Sequence, residues 1–190
     1  MRQTGGKTAR LTGTAILAAL VIIFDYSLKF SGLKIPFPWM PFLKFDFTGI
    51  PIVVSLLLFG LTSAATTSAV ACLGIVARSG DLVGGAMKGI AEFSTVLGIA
   101  LGVRFMSQFN IGIRSIKMIS IAFGVLLRIL NMSLWNLIVL PNYYGLTFSA
   151  TAGMLPLLGV FNGIQGIITA SLGYMLYDAY TRRANVRAVD

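Results

Sequence analysis

No charged side chain occurs between Asp46 and Arg78, and none between Arg128 and Asp178. Two uncharged stretches of that length constrain this chain more than any other feature. A helix rises about 1.5 Å per residue and the hydrocarbon core of a bilayer is about 30 Å thick, so roughly 20 apolar residues cross it. Each stretch is long enough for more than one crossing. Composition points the same way, with 56% hydrophobic and only 11% charged residues, where a soluble domain carries about 25%. Mean hydropathy is +0.86. Collapsed in water, such a chain would lack the polar groups to cover its outside. The expected fold is an all-α membrane protein, a single domain over 1–190 built as a bundle of six transmembrane helices. Polar tails are expected at about 1–10 and 181–190.

The first span is predicted from about Leu11 to Phe30. A loop rich in proline and aromatics follows over 31–49, where Pro36, Pro38 and Pro41 forbid a regular helix. The segment from Ile50 to about Ala77 is too long for one untilted span, and Gly60 with Thr62 and Ser63 divides it into two short helices. A polar turn from Arg78 to Gly85 leads to a fourth helix over about Ala86 to Met106. The fifth covers about Ile113 to Leu140 and is expected to stop at Pro141. The sixth is expected from about Met154 to Tyr180. The N-terminal apolar run lacks a small-residue cleavage site and reads as a retained first span.

The net charge of +9 does not form a basic stripe interleaved with aromatics, so no nucleic-acid partner is expected. The cations gather at the ends of apolar runs, as orientation in a membrane requires. With six spans, most of the 15 Lys and Arg fall on the side of the two termini. That places both termini in the cytoplasm of a multi-pass cell-membrane protein, with the proline-rich loop outside. A single cysteine, Cys72, excludes an internal disulfide. With no histidine either, most zinc and haem chemistry is excluded, and neither metal nor cofactor is expected.

Ionisable groups within membrane helices are costly and face a cavity or a partner. Asp25, Glu92 and Arg128 fall at a similar depth in the outer half of the bundle and are candidates for a structural ion pair or the polar lining of an outward-facing site. Asn136, Asn162 and Gln165 add uncharged amides at that depth, the last two on one helix face. Unpaired, each would cost a few kcal/mol to bury. Near Trp135, Tyr143 and Phe161, they suit a neutral heteroaromatic ligand with carbonyl and ring-nitrogen groups, or they bridge helices. Ala15 and Ala19 allow another helix to approach closely in lipid, either inside the bundle or on a partner. Gly98 with Gly102, and Gly159 with Gly163, belong to the same class of signal. No nucleophile–base pair, carboxylate pair or phosphate-cradling G-x-x-x-x-G-K-[ST] loop can be assembled, so an enzyme is not expected.

Three stretches, LKFDFTGIP (Leu43 to Pro51), RILNMSLWNLIVLPNYYG (Arg128 to Gly145) and VFNGIQGIITASLGYMLY (Val160 to Tyr177), resemble the substrate-binding (S) subunits of energy-coupling-factor (ECF) vitamin transporters. The riboflavin-specific subunits are the most similar. The resemblance implies six helices, an outward-facing pocket roofed by the first loop, and capture of riboflavin or a related flavin. Partners would be the shared transmembrane coupling subunit, docked on Ala15 and Ala19, and two cytoplasmic ATPases, all beside membrane lipid. It implies substrate contacts at Asn136, Asn162 and Gln165, with Trp135, Tyr143, Phe45 and Asp46 nearby. The sequence departs from the family at Gln165, where a lysine is usual, and at Gly49, where an acidic residue is usual. Two rival readings stand beside it: a solitary facilitator or proton-coupled carrier using Asp25 or Glu92, and a membrane enzyme of lipid metabolism.

Overall fold

In a computed structural model that describes residues 6–109 and 111–183, six helices and one short hairpin make up the chain. Of the tails expected at about 1–10 and 181–190, residues 1–5 and 184–190 lie outside the described residues, while α1 and α6 extend into the remainder. The elements are α1 (Lys7–Phe30), β1 (Ile35–Phe37), β2 (Met40–Phe45), α2 (Gly49–Phe59), α3 (Leu61–Ser79), α4 (Leu82–Met106), α5 (Ile113–Tyr144) and α6 (Phe148–Arg183). All but α2 are long and apolar enough to cross a membrane.

Every residue from Gly49 to Leu58 in α2 is buried, and the helix packs on α1, α3, α4 and α6. It is apolar on all sides because it has no outward face, which is the pattern of a helix enclosed by others. At about 1.5 Å per residue it covers only about half the bilayer. Ile52, Val53 and Leu56 centre the main core with Val21, Val96, Ile99 and Ala170 from the surrounding helices. The division from α3 falls at Gly60, whose φ of 88° favours a residue without Cβ, so one helix ends and the next begins without a loop.

Around α2 the packed neighbours run α1–α3–α4–α5–α6. The closest crossing is α4 on α5. A Cβ at Gly98 would lie 2.5 Å from the Phe123 carbonyl oxygen, and one at Gly102 would lie 2.8 Å from Ser120 Cα. Backbone approach of this kind is how small residues drive association in lipid. Gly163 meets only the Ile129 side chain at 3.3 Å, so α6 rests less tightly on α5.

Several expected boundaries shift. Helix α5 runs through Pro141 to Tyr144, because a proline in the last turn removes a single ladder bond. Asn142 Nδ2 then caps the Ile138 carbonyl at 2.7 Å. Helix α6 starts at Phe148 rather than Met154, since Thr147 Oγ1 accepts from Ala150 N at 3.2 Å as an N-cap. Asp81 likewise accepts from Gly84 N at 2.8 Å and starts α4 at Leu82. The proline-rich loop contains an antiparallel hairpin in which Pro36 pairs with Lys44, a two-stranded edge where a missing N–H is tolerated.

Candidate functional site

The hairpin follows the C-terminal end of α1 and packs on the N-terminal half of α6. Phe37 and Met40 are buried in a second core with Leu158, against Phe45 and Phe161. The Phe45 and Phe161 rings stack at 5.0 Å, and Phe37 approaches Phe161 at 5.6 Å. Offset aromatic contacts of this kind contribute about 0.5–1.5 kcal/mol each beyond burial.

Beneath the hairpin is a cavity of about 180 Å³. Leu43, Lys44 and Asp46 line it from the hairpin side, Met87, Lys88 and Ala91 from α4, Arg128, Met132 and Asn136 from α5, and Leu158, Phe161, Asn162 and Gln165 from α6. Four of the expected substrate contacts therefore surround one cavity, Asp46, Asn136, Asn162 and Gln165, together with Arg128 from the ionisable candidates. Phe45 supports it through Phe161. Trp135 and Tyr143 do not line it. Both are exposed: Trp135 lies about 100° round α5 from the inward Asn136, and Tyr143 lies in the last turn of that helix.

Charge in the site is organised as an alternating chain. Arg78 Nε meets Asp25 Oδ2 at 2.8 Å, and Lys34 Nζ meets Asp25 Oδ1 at 2.6 Å. Lys34 reaches Asp46 Oδ2 at 3.8 Å, and Lys88 bridges Asp46 Oδ1 at 2.7 Å and Glu92 Oε1 at 2.9 Å. Arg128 Nη1 closes on Glu92 Oε1 at 3.1 Å, and its Nε donates to Asn162 Oδ1 at 3.2 Å. The chain begins and ends on a cation, so the end that faces the cavity is electropositive. Withdrawing each ion from water costs several kcal/mol, and only such alternation offsets it. Burial pushes the Asp46 carboxyl up, but Lys88, Lys34 and the Thr48 hydroxyl outweigh it and hold the group at about 2.

Glu92 and Arg128 thus pair, whereas Asp25 does not join them directly. Helix α1 packs on α2 and α3, away from α5, and equal depth brought Asp25 only to Arg78 and Lys34. Lys88, within α4, is a site residue that was not singled out from the sequence. Its i,i+4 spacing to Glu92 within an apolar helix was the available signal.

The amides differ in what they have left to offer. Asn136 Nδ2 donates to the Met132 carbonyl at 2.7 Å, and among the described residues its Oδ1 has no partner. Asn162 donates to the Leu158 carbonyl at 2.9 Å and accepts from Arg128. Gln165 Nε2 donates to the Asp46 carbonyl at 2.8 Å and to Thr169 Oγ1 at 3.2 Å, and its Oε1 accepts from Asp46 N at 3.3 Å. Asn131 bridges helices, donating to Ser94 Oγ at 2.6 Å. On α1, Thr14, Ala18, Val21 and Asp25 face the bundle, while Ala15 and Ala19 are exposed. The internal seam of this helix therefore uses Ala18.

Fold and cavity together define a multi-pass membrane protein with a small, charge-lined pocket at one end of its bundle. Among solved structures the chain is similar to the S component of a bacterial ECF transporter, with a TM-score of 0.73 and 23% identity, covering 96% of this chain and 99% of that one. At that identity the likeness is one of fold. No family model and no curated protein matches the chain.

Proposed function

We propose that this chain is the substrate-binding subunit of an ECF-type vitamin importer and that it captures riboflavin or a related flavin outside the cell. The observation that carries the reading is the cavity under the hairpin, where hydrogen-bonding groups from α4, α5 and α6 converge beside the Phe161 ring. A flat heteroaromatic ring matches that ring, and its carbonyl and ring-nitrogen acceptors match the donors of Lys88 and Arg128. At about 180 Å³ the cavity is smaller than the roughly 300–1,000 Å³ typical of drug-sized ligands, so a whole flavin requires the hairpin to move outward. The solved S component with the same fold supports this reading over a soluble or enzymatic one.

ATP-driven import then depends on a transmembrane coupling subunit and two cytoplasmic ATPases, since the sequence contains no G-x-x-x-x-G-K-[ST] loop. Ala15 and Ala19, exposed on α1, are the proposed docking face for the coupling subunit. Both termini lie in the cytoplasm in this arrangement. A solitary proton-coupled carrier is less well supported, because Asp25 and Glu92 are each held by two cations.

The deciding experiment titrates the detergent-purified protein with riboflavin by calorimetry and flavin fluorescence, alongside a panel of other vitamins. Quenching and a saturable heat at micromolar ligand are expected. No heat with riboflavin but saturation with another vitamin would remove the flavin and keep the subunit. No binding across the panel would remove both.

A further inference from the structure

The primary amide of Gln165 uses both of its faces on the backbone of a single residue. Its Oε1 accepts from Asp46 N and its Nε2 donates to Asp46 O, so side chain and backbone pair as two strands would. The second Nε2 hydrogen goes to Thr169 Oγ1. Both donors of the amide are therefore consumed inside the protein, and Gln165 is among the largest fully buried side chains. Asp46 is the residue at which the hairpin hands over to α2, between the end of β2 at Phe45 and the first turn at Gly49. Its carboxylate is fixed independently, to Lys88 Nζ and to Thr48 N and Oγ1.

We infer that Gln165 is a positioning residue: it clasps the backbone of Asp46 and thereby sets where the hairpin sits as the roof of the cavity, with no amide donor left over for the ligand. Leu43 and Lys44, directly before the clasp, line the cavity, so a shift at Asp46 is passed to the roof within two or three residues. A lysine has three donors and no acceptor and cannot take the Asp46 N–H, so the clasp is specific to an amide. The consequence for ligand retention rests on the vitamin-binding reading, whereas the clasp itself does not.

The test places spin labels at Trp39→Cys on the exposed hairpin turn and at Asn142→Cys on the exposed end of α5, in a Cys72→Ala background. Their distance distribution is measured by pulsed electron paramagnetic resonance without ligand. Gln165→Lys and Gln165→Leu are each expected to broaden the distribution and to speed release of bound riboflavin at least tenfold. A narrow distribution with weaker binding would make Gln165 a ligand contact and overturn the inference, as would no change in either. Broadening with unchanged release would overturn the link from roof to ligand. If both variants misfold, hydrogen exchange in the unmodified protein still decides, because an Asp46 amide exchanging at the rate of an unstructured peptide excludes the clasp. If riboflavin does not bind the parent protein, the vitamin reading fails while the distance measurement still judges the clasp.

Discussion

Glu92 on α4 and Arg128 on α5, 36 residues apart in sequence, meet at 3.1 Å with both side chains almost wholly withdrawn from solvent. A buried pair of this kind contributes little over an apolar pair of the same shape. Its disruption is expensive because one charge is left behind, typically about 3–5 kcal/mol. Arg128→Met is therefore expected to lower the melting temperature in detergent severely. Adding Glu92→Gln to it should recover part of the loss, and a thermal-melt double-mutant cycle measures this. Additive losses would mean that the two do not couple.

The second oxygen of the same carboxylate, Glu92 Oε2, is buried without a hydrogen-bond partner among the described residues. It lies against the first turn of α2, where a Cβ added at Gly49 would collide with it and meet the Thr169 methyl at 2.6 Å. Gly49→Ala is expected to destabilise by about 1–3 kcal/mol through overpacking. Gly153→Ala, with nothing within 4 Å of the new Cβ, is expected to be neutral or to stabilise α6 by up to about 1 kcal/mol. Equal melting temperatures for the two variants would contradict the close approach at Gly49.

The number and order of the helices were readable from charge-free length, and the break at Gly60 from one glycine in an apolar run. Proline was read too strongly only at Pro141, which costs one bond at a helix end; Pro36 does keep its segment out of a helix, on a hairpin edge that needs no donor there. The inward set Asp46, Asn136, Asn162 and Gln165 was legible because buried polar groups must converge on something. Trp135 and Tyr143 do not line the cavity because a neighbour in the chain lies about 100° round the helix from an inward amide, and Tyr143 falls in the exposed last turn of α5. Asp25 is ion-paired, but with Arg78 and Lys34 instead of Arg128, because depth along a helix says nothing about which neighbour it faces. That is set by the packing order around α2.

Asn136 and Asn162 separate ligand binding from stability. Asn136 spends one donor on its own helix, so Asn136→Leu removes an acceptor open to the ligand and strands no other group. It is expected to weaken riboflavin binding at least tenfold, about 1.4 kcal/mol, with a melting temperature close to the parent. Asn162→Leu also strands Arg128 Nε and should lower both affinity and melting temperature. Calorimetry and melts on the same samples distinguish the two. Unchanged affinity in Asn136→Leu would place the ligand elsewhere.

The Asp46 carboxyl, held at about 2 instead of its ordinary 3.8, contributes stability that is fully present above about pH 4 and is lost as pH falls towards 2. That contribution is about 2 kcal/mol. The melting temperature in detergent should fall across this interval, and Asp46→Asn should flatten that part of the profile. An identical acid profile in the variant would show that another group governs the loss.

The docking face proposed on α1 is separable from the pocket because the two lie on different faces. Ala15 and Ala19 point outward while Ala18 packs inward, so a larger side chain at 15 or 19 projects into lipid and disturbs nothing inside the bundle. In a close helix–helix contact, a bulky side chain holds the backbones apart and removes the packing that drives association. Ala15→Trp and Ala19→Trp are expected to leave riboflavin affinity and melting temperature within error of the parent. Co-purification with the coupling subunit and ATPases, and uptake by cells, should be abolished. Ala18→Trp, which enlarges a buried position, should instead lower the melting temperature. Normal uptake by both outward variants would free this face of any partner.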